Sequence, residues 1–62
     1  NEEIIKYSSK AINILTQINN TAGVARAYKA RSIAYKNMGI YDLAENDLKM
    51  SKNISGENQN LR

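Results

Sequence analysis

Apolar residues recur along most of the chain at intervals of three and four, which is the spacing of one face of an α-helix. The first stripe predicts a helix over residues 2–18 and consists of Ile4, Ser8, Ala11, Leu15 and Ile18, widened by Ile5 and Ile12. No segment of useful length alternates apolar and polar residues with the two-residue period of a strand. We therefore expect an all-α fold.

Two further stripes predict helices over residues 22–38 and 41–54. The first of these stripes consists of Val24, Ala27, Tyr28, Ala34, Tyr35 and Met38. The other consists of Leu43, Ala44, Leu48, Met50, Ser51 and Ile54. Residues 55–62, with the sequence SGENQNLR, carry no stripe, so we expect them to form a polar, flexible tail.

The residues at the ends of these segments suit helix termini. Asn1 is placed to cap the first helix, and Thr21 to cap the second through its hydroxyl. Gly39 follows the second helix, where a left-handed conformation costs glycine little. Because the connections are short, neighbouring helices must run antiparallel, which predicts a three-helix antiparallel array.

The composition limits what can stabilise such an array. A chain of 62 residues buries only about 60% of the surface that its unfolded form exposes, so its core is marginal without help. The chain contains no Cys and no His, which excludes disulfides and thiolate or imidazole metal sites. Of the usual ways to stabilise a small core, association with more protein remains. Because the first residue is Asn rather than Met, we expect a fragment of a longer protein.

Two further properties concern location and partners. No run approaches the ~20 apolar residues of a membrane span, and no charged and then apolar leader is present. We therefore expect a cytoplasmic protein with no membrane partner. The net charge of +3, from nine Lys and Arg against six Asp and Glu, is too small to indicate nucleic acid by itself.

The middle of the chain resembles the tetratricopeptide repeat (TPR) family. The resemblance rests on an ordered series of aromatic, small and large residues around a turn glycine: Tyr28, Ser32, Tyr35, Gly39, Tyr41, Ala44 and Leu48. Ser32 and Ala44 are small enough for two helices to approach closely, and the Tyr residues are expected to fill the space around that contact. The resemblance covers about Ile4 to Ile54 and implies one full repeat preceded by the second helix of another, in an α-solenoid.

The repeat is also visible internally, with an offset of 40 residues, since 44 − 4 = 40 aligns Ile4 with Ala44 and likewise Ala11 with Ser51. This is longer than the common TPR length of about 34 residues. The stretch GVARAYKARSIAY is similar to a longer-repeat subfamily of bacterial regulators. The chain departs from the family pattern at Arg31 (usually Leu), Ile40 (usually Asp or Asn) and Ser51 (usually Ala), and the helix-ending Pro is missing.

Repeat arrays need about three units to be stable, because one unit cannot cover its own apolar face. The third helix presents Leu43, Met50 and Ile54 to a neighbour that this sequence lacks. We therefore expect the isolated chain to self-associate and to bury those residues.

The second helix carries the candidate binding site, because all of its charges are basic. Arg26, Lys29, Ile33, Lys36 and Asn37 share one face of this helix. The resemblance implies that they line the concave groove of a TPR array, where they would favour acidic segments or a C-terminal carboxylate. Lys29 matches a lysine of the family's carboxylate clamp, but Ile33 replaces its partner Asn. The alternative is that these are ordinary solubilising charges.

Little else in the chain suggests chemistry. Without His, Cys or a Gly-rich phosphate loop, we expect neither an enzyme nor a cofactor. Asp42, Glu45 and Asp47 are expected on a solvated face of the third helix rather than around a metal ion. Tyr28 and Tyr35 are expected in core packing rather than in stacking on nucleic-acid bases.

Arg31 lies closer to the packed stripe than the other cations do. Two arrangements are open for it. Glu45 or Asp47 could pair with its guanidinium. Alternatively its stem packs while its charged head reaches water, and this is the arrangement we expect.

These observations lead to an ordered set of hypotheses about function. The first is a protein-protein interaction module, a piece of a TPR scaffold that binds a peptide or protein through the basic face of the second helix. The second is a regulatory or sensory TPR segment of a bacterial signalling protein or transcription regulator. Direct RNA binding ranks last, and we expect no nucleic-acid partner.

Overall fold

The computed structural model describes residues 1–56. It contains three α-helices, and no strand occurs within those residues: α1 spans Glu2–Gln17, α2 spans Thr21–Asn37 and α3 spans Tyr41–Ser55. The predicted all-α fold is therefore confirmed, and each helix end lies within one residue of its predicted position. Ser55 belongs to α3 rather than to the predicted tail, and residues 57–62 of that tail lie outside the described residues.

The helices form a single layer with α2 in the middle. α2 packs against α1 on one side and against α3 on the other, whereas α1 and α3 do not pack directly against each other. The described chain measures 34 × 27 × 11 Å, and its smallest dimension is close to the diameter of one helix, ~10–12 Å. Every helix therefore keeps much of its surface exposed, and α2 determines where the other two helices lie.

Small residues let α1 approach α2 closely. A Cβ atom added to Gly23 would stand 3.0 Å from Cδ1 of Leu15, so the two backbones meet at this glycine. Ala27 and Ala34 follow on the same side of α2, and only 1% of Ala34 is exposed. Small side chains thus replace the large apolar core that a longer chain would form between these helices.

Small residues also line the contact between α2 and α3. Ser32 and Ala44, the two residues expected at a close helix contact, are both buried. The hydroxyl of Ser51 donates a hydrogen bond of 2.8 Å to the backbone carbonyl of Ala25, and Ser32 Oγ donates to the carbonyl of Lys29 in its own helix. The buried hydroxyls of Ser32 and Ser51 therefore both have a partner, as burial of a polar group requires.

One aromatic residue is placed differently from the prediction. Tyr28 and Tyr35 are partly buried, but Tyr41 is 65% exposed and does not fill the space around the α2–α3 contact. Tyr41 is the first residue of α3, and the first buried residue of that helix is Ala44. The side chain of Tyr41 therefore lies beyond the part of α3 that α2 covers.

The predicted cap of α2 was wrong. Thr21 is the first residue of the helix, and the cap is instead Asn20, whose side-chain oxygen accepts a hydrogen bond of 3.0 Å from the backbone N–H of Gly23. Asn and Thr both suit a cap, and the backbone begins its helical turn one residue earlier than predicted. Asn1 precedes α1 as expected, but its side chain makes no capping hydrogen bond.

The two turns between helices share one geometry. After α2, the N–H of Ile40 donates to the carbonyl of Tyr35 and the N–H of Gly39 donates to that of Lys36, and φ of Gly39 is +81°. After α1, Asn19 takes the left-handed position with φ of 60°, and the N–H of Asn20 donates to Leu15. Both are Schellman turns, which explains how so few residues reverse the chain.

We predict that Gly39→Ala lowers the free energy of unfolding by about 1 kcal/mol. No atom lies within 4 Å of the added Cβ, so the whole cost comes from the left-handed backbone. Gly39→Asn is the matched control and should cost less, because Asn tolerates this conformation better. Urea unfolding followed by circular dichroism measures both variants. Equal stability of Gly39→Ala and the parent chain would contradict the structure of this turn.

Candidate functional site

The five residues of the predicted binding face all lie exposed on one side of α2. Arg26, Lys29, Ile33, Lys36 and Asn37 keep the spacing of a single helical face, and none of them is buried between helices. Four of them border a groove between α2 and α3, which we call the α2–α3 groove. Asn37, the last residue of α2, is exposed but lines neither cavity of the groove.

The first cavity of the α2–α3 groove lies where α2 begins and α3 ends. It has a volume of about 360 Å³. Arg26 and Lys29 line it from α2, together with Ser51, Ile54 and Ser55 from α3. Two cations therefore stand at this end together with three hydroxyl residues, Thr21, Ser51 and Ser55, which makes it the more polar part of the groove.

The second cavity continues the groove towards the other end of α2. It has a volume of about 300 Å³, and Lys29 lines both cavities, so they adjoin at that residue. Its lining is mainly apolar, with two lysines and one acid among the eight residues: Lys29, Ser32, Ile33, Lys36, Tyr41, Ala44, Glu45 and Leu48. The sequence predicted the α2 residues Lys29, Ile33 and Lys36 of this cavity. It did not predict that residues of α3 form the other wall.

The charges of the groove are mostly uncompensated. Across residues 1–56 the structure contains one ion pair, which joins Arg31 to Asp47 and leaves Arg26, Lys29 and Lys36 outside it. Glu45 is the one acid that lines either cavity. Three cations against one carboxylate give the groove a net positive charge, and exposed side chains on a helix face can move to meet a ligand.

Arg31 projects from the opposite side of α2 and reaches both neighbouring helices. Its Nε and Nη2 atoms donate to the two carboxylate oxygens of Asp47 at 2.7 and 2.9 Å, and its Nη1 atom donates to Ser9 Oγ at 3.0 Å. The guanidinium carbon lies 5.3 Å from the ring centre of Tyr28 and 5.8 Å from that of Tyr35. We call these five residues the Arg31 cluster.

The Arg31 cluster overturns two expectations. The head of Arg31 does not extend into water but is held by a bidentate ion pair, and 21% of its side chain is exposed. Asp47 lies on the packed side of α3, with 5% exposure, rather than on a solvated face. Its spacing of three residues from Ala44 and four from Ser51 is the sequence signal that places it there. Asp42 and Glu45 are exposed as expected.

The hydrogen bonds that Arg31 donates to Asp47 raise the pKa of Arg31 above its ordinary value, although partial burial acts in the opposite direction. A cation whose pKa is raised by folding stabilises the folded state at every pH below its unfolded pKa. The contribution of Arg31 is therefore complete across the acidic and neutral range and is lost only in strong alkali. Bidentate pairing of this kind also fixes the orientation of the guanidinium.

The Arg31 cluster links helices that otherwise have no direct packing. One side chain of α2 binds Ser9 of α1 and Asp47 of α3, so it holds both flanking helices in register with α2. Asp47 and the groove residues Ala44 and Leu48 lie within one turn of α3. The cluster therefore fixes the position of the α3 wall of the groove from the other face of the layer.

The remaining surface offers a smaller cavity of about 220 Å³ beside the α1–α2 turn, lined by uncharged residues that include Leu15, Val24 and Ile54. Within the described part of the chain, no group of three or more His, Cys, Asp or Glu side chains is arranged to hold a metal ion. None of the three described helices combines the length and apolar character needed to cross a bilayer.

No protein-family model, curated protein or solved structure matches this chain. Two features of the chain itself bear on its function: the cationic α2–α3 groove and the Arg31 cluster that supports one wall of it.

We predict that Asp47→Ala lowers the free energy of unfolding by about 2 kcal/mol, because the substitution leaves the guanidinium of Arg31 with Ser9 as its single hydrogen-bond partner. Replacing both residues, in Arg31→Leu with Asp47→Leu, should cost less than the sum of the single changes, since no unpaired charge remains. Glu45→Ala, which removes an exposed acid from the same helix, is the control. Equal effects of Asp47→Ala and Glu45→Ala in urea unfolding would contradict this account.

Proposed function

We propose that this chain is a protein-protein interaction module of the TPR type, which binds an acidic segment of a partner protein in the α2–α3 groove. The series of small and aromatic residues around Gly39 supports the family. The antiparallel array and the burial of Ser32 and Ala44 agree with such a repeat. In this proposal, α2 is the first helix of a complete repeat, and α3 is the second.

The observation that carries the proposal is the unpaired basic strip along the groove. Arg26, Lys29 and Lys36 are exposed and stand outside the one ion pair that residues 1–56 contain. Unlike the guanidinium of Arg31, the charged groups of these three residues are available to a ligand. Carboxylates of a partner would form charge-assisted hydrogen bonds with them.

The spacing of the strip indicates the form of the ligand. Lys29 and Lys36 are seven residues apart, which corresponds to ~10 Å along the helix axis. An extended peptide covers this distance in about three residues. Ile33 lies between the two lysines and is 52% exposed. The groove therefore suits an extended segment in which carboxylates flank an apolar side chain, and the polar carboxylate clamp of the family is replaced here by an apolar contact.

We predict that random peptides displayed on phage and selected on the parent chain will be enriched in Asp and Glu. A synthetic peptide from that selection should bind at least about tenfold more weakly to the double variant Lys29→Glu, Lys36→Glu, because each reversal replaces an attraction by a repulsion. Its affinity for the parent chain should also fall with added salt. Fluorescence anisotropy of the labelled peptide measures both effects.

The matched control is Lys6→Glu with Lys49→Glu. This variant has the same net charge, and its two exposed substitutions line neither groove cavity. Its affinity for the peptide should stay within about twofold of that of the parent chain. The proposal fails if the two double variants weaken binding equally, or if the selected peptides show no acidic enrichment.

A further inference from the structure

α1 carries an apolar stripe that no other part of the described chain covers. Three large residues of this helix, and Ile18 directly after it, are well exposed: Ile4 at 45%, Tyr7 at 64%, Ile14 at 56% and Ile18 at 64%. The largest exposed apolar patch on a monomeric protein is often an interaction site. The α1 stripe lies outside the α2–α3 groove, so the inference drawn from it is independent of the proposed function.

The stripe is continuous and regular. From Ile4 to Ile18 its members follow steps of three, four, three and four residues, with Ala11 in the middle. This is the spacing by which one helix presents side chains to the surface of a second helix. The stripe is ~21 Å long, and its central residue is small, so a second helix could cross closely at Ala11.

Comparison of α1 with α3 shows what kind of element the stripe accepts. At the offset of 40 residues, Ile4 and Ala11 correspond to Ala44 and Ser51. On α3 these two residues are buried, and Ser51 donates a hydrogen bond to the backbone of α2. The side of α3 that packs against α2 thus corresponds to the side of α1 that is exposed. The missing neighbour of α1 is therefore another helix.

We propose that the α1 stripe binds the α1 stripe of a second copy of this chain, so that the two helices cross antiparallel at Ala11 and form a symmetric dimer. In this arrangement Ile4 of one copy approaches Ile18 of the other, and Tyr7 approaches Ile14. Isologous pairing of one patch with itself is the commonest way in which soluble proteins form dimers. Of the three described helices, α1 is the one with an uninterrupted exposed apolar stripe. A second copy therefore supplies a stripe of the same length for the first copy to bind.

α3 is a poorer partner for the stripe, contrary to the expectation that it carries the self-association. Leu43 and Met50 are exposed, but Asn46 interrupts the apolar surface between them and Asp47 is held by Arg31. Ile54, the third residue expected to face a neighbour, is partly buried and lines a cavity with residues of both other helices. Our proposal therefore places the self-association surface on α1 rather than on α3.

The size of the stripe determines the strength expected of the dimer. An aromatic side chain buries roughly 150–250 Å² and an isoleucine somewhat less, so these four half-exposed residues offer on the order of 400 Å² per copy. A standard stable interface buries about 800 Å² per partner. We therefore expect a weak dimer that dissociates in the micromolar-to-millimolar range, and we expect its population to follow the protein concentration.

Sedimentation equilibrium of the 62-residue chain from micromolar to millimolar concentration tests the proposal. We expect a monomer–dimer equilibrium, and we expect Ile14→Glu to raise its dissociation constant by at least about tenfold. Ile33→Glu is the matched control, since Ile33 is an isoleucine of similar exposure, 52% against 56%, on a different helix. That variant and Leu43→Glu should change the constant by no more than about twofold.

A cysteine at the crossing point tests the geometry separately. Because the chain has no Cys, the variant Ala11→Cys contains a single thiol. We expect it to form a disulfide-linked dimer under mild oxidation much faster than Ala30→Cys, whose exposed site lies on α2. A chain that stays monomeric at millimolar concentration, or association that Leu43→Glu abolishes and Ile14→Glu does not, would overturn the proposal. Equal crosslinking of the two cysteine variants would also overturn it.

Discussion

The guanidinium of Arg31 is the interaction on which the layer depends most. α1 and α3 both pack on α2 and not on each other, so their relative position is set only through the middle helix. Small residues make those two contacts close, and Ser51 adds one hydrogen bond from α3 to the backbone of α2. Arg31 bonds to both flanking helices, because its planar donors meet Asp47 and Ser9 at the same time.

This arrangement divides α2 into sides with separate tasks. One side carries small residues to α1, another carries them to α3, a third carries Arg31 between two tyrosine rings, and the fourth remains open as the basic wall of the α2–α3 groove. Because a helix has 3.6 residues per turn, residues three or four apart lie on the same side, and this separates the four sides along α2. The composition of α2, rich in alanine and basic residues and free of acids, reflects these demands.

The location of the cations follows from the same division. Arg31 is stabilising because a buried acid and two aromatic rings surround it, so its desolvation is compensated. Lys29 and Lys36 lie on the opposite side, where no acid pairs with them, and the groove keeps its positive charge. An open apolar stripe on α1 and an open cationic groove beside α3 therefore give the small layer two different surfaces for association.

The sequence by itself determined the local structure: the helices, their ends to within one residue, and the left-handed Gly39, because these depend on spacing and backbone preference among near neighbours. It also placed the five groove residues on one exposed face of α2. Only the tertiary structure decided that Asp47 rather than Glu45 meets Arg31, that Ser9 joins them, and that Tyr41 and the α1 stripe stay exposed. Those outcomes depend on how each helix is rotated and positioned against α2, which the periodicity of one helix does not specify.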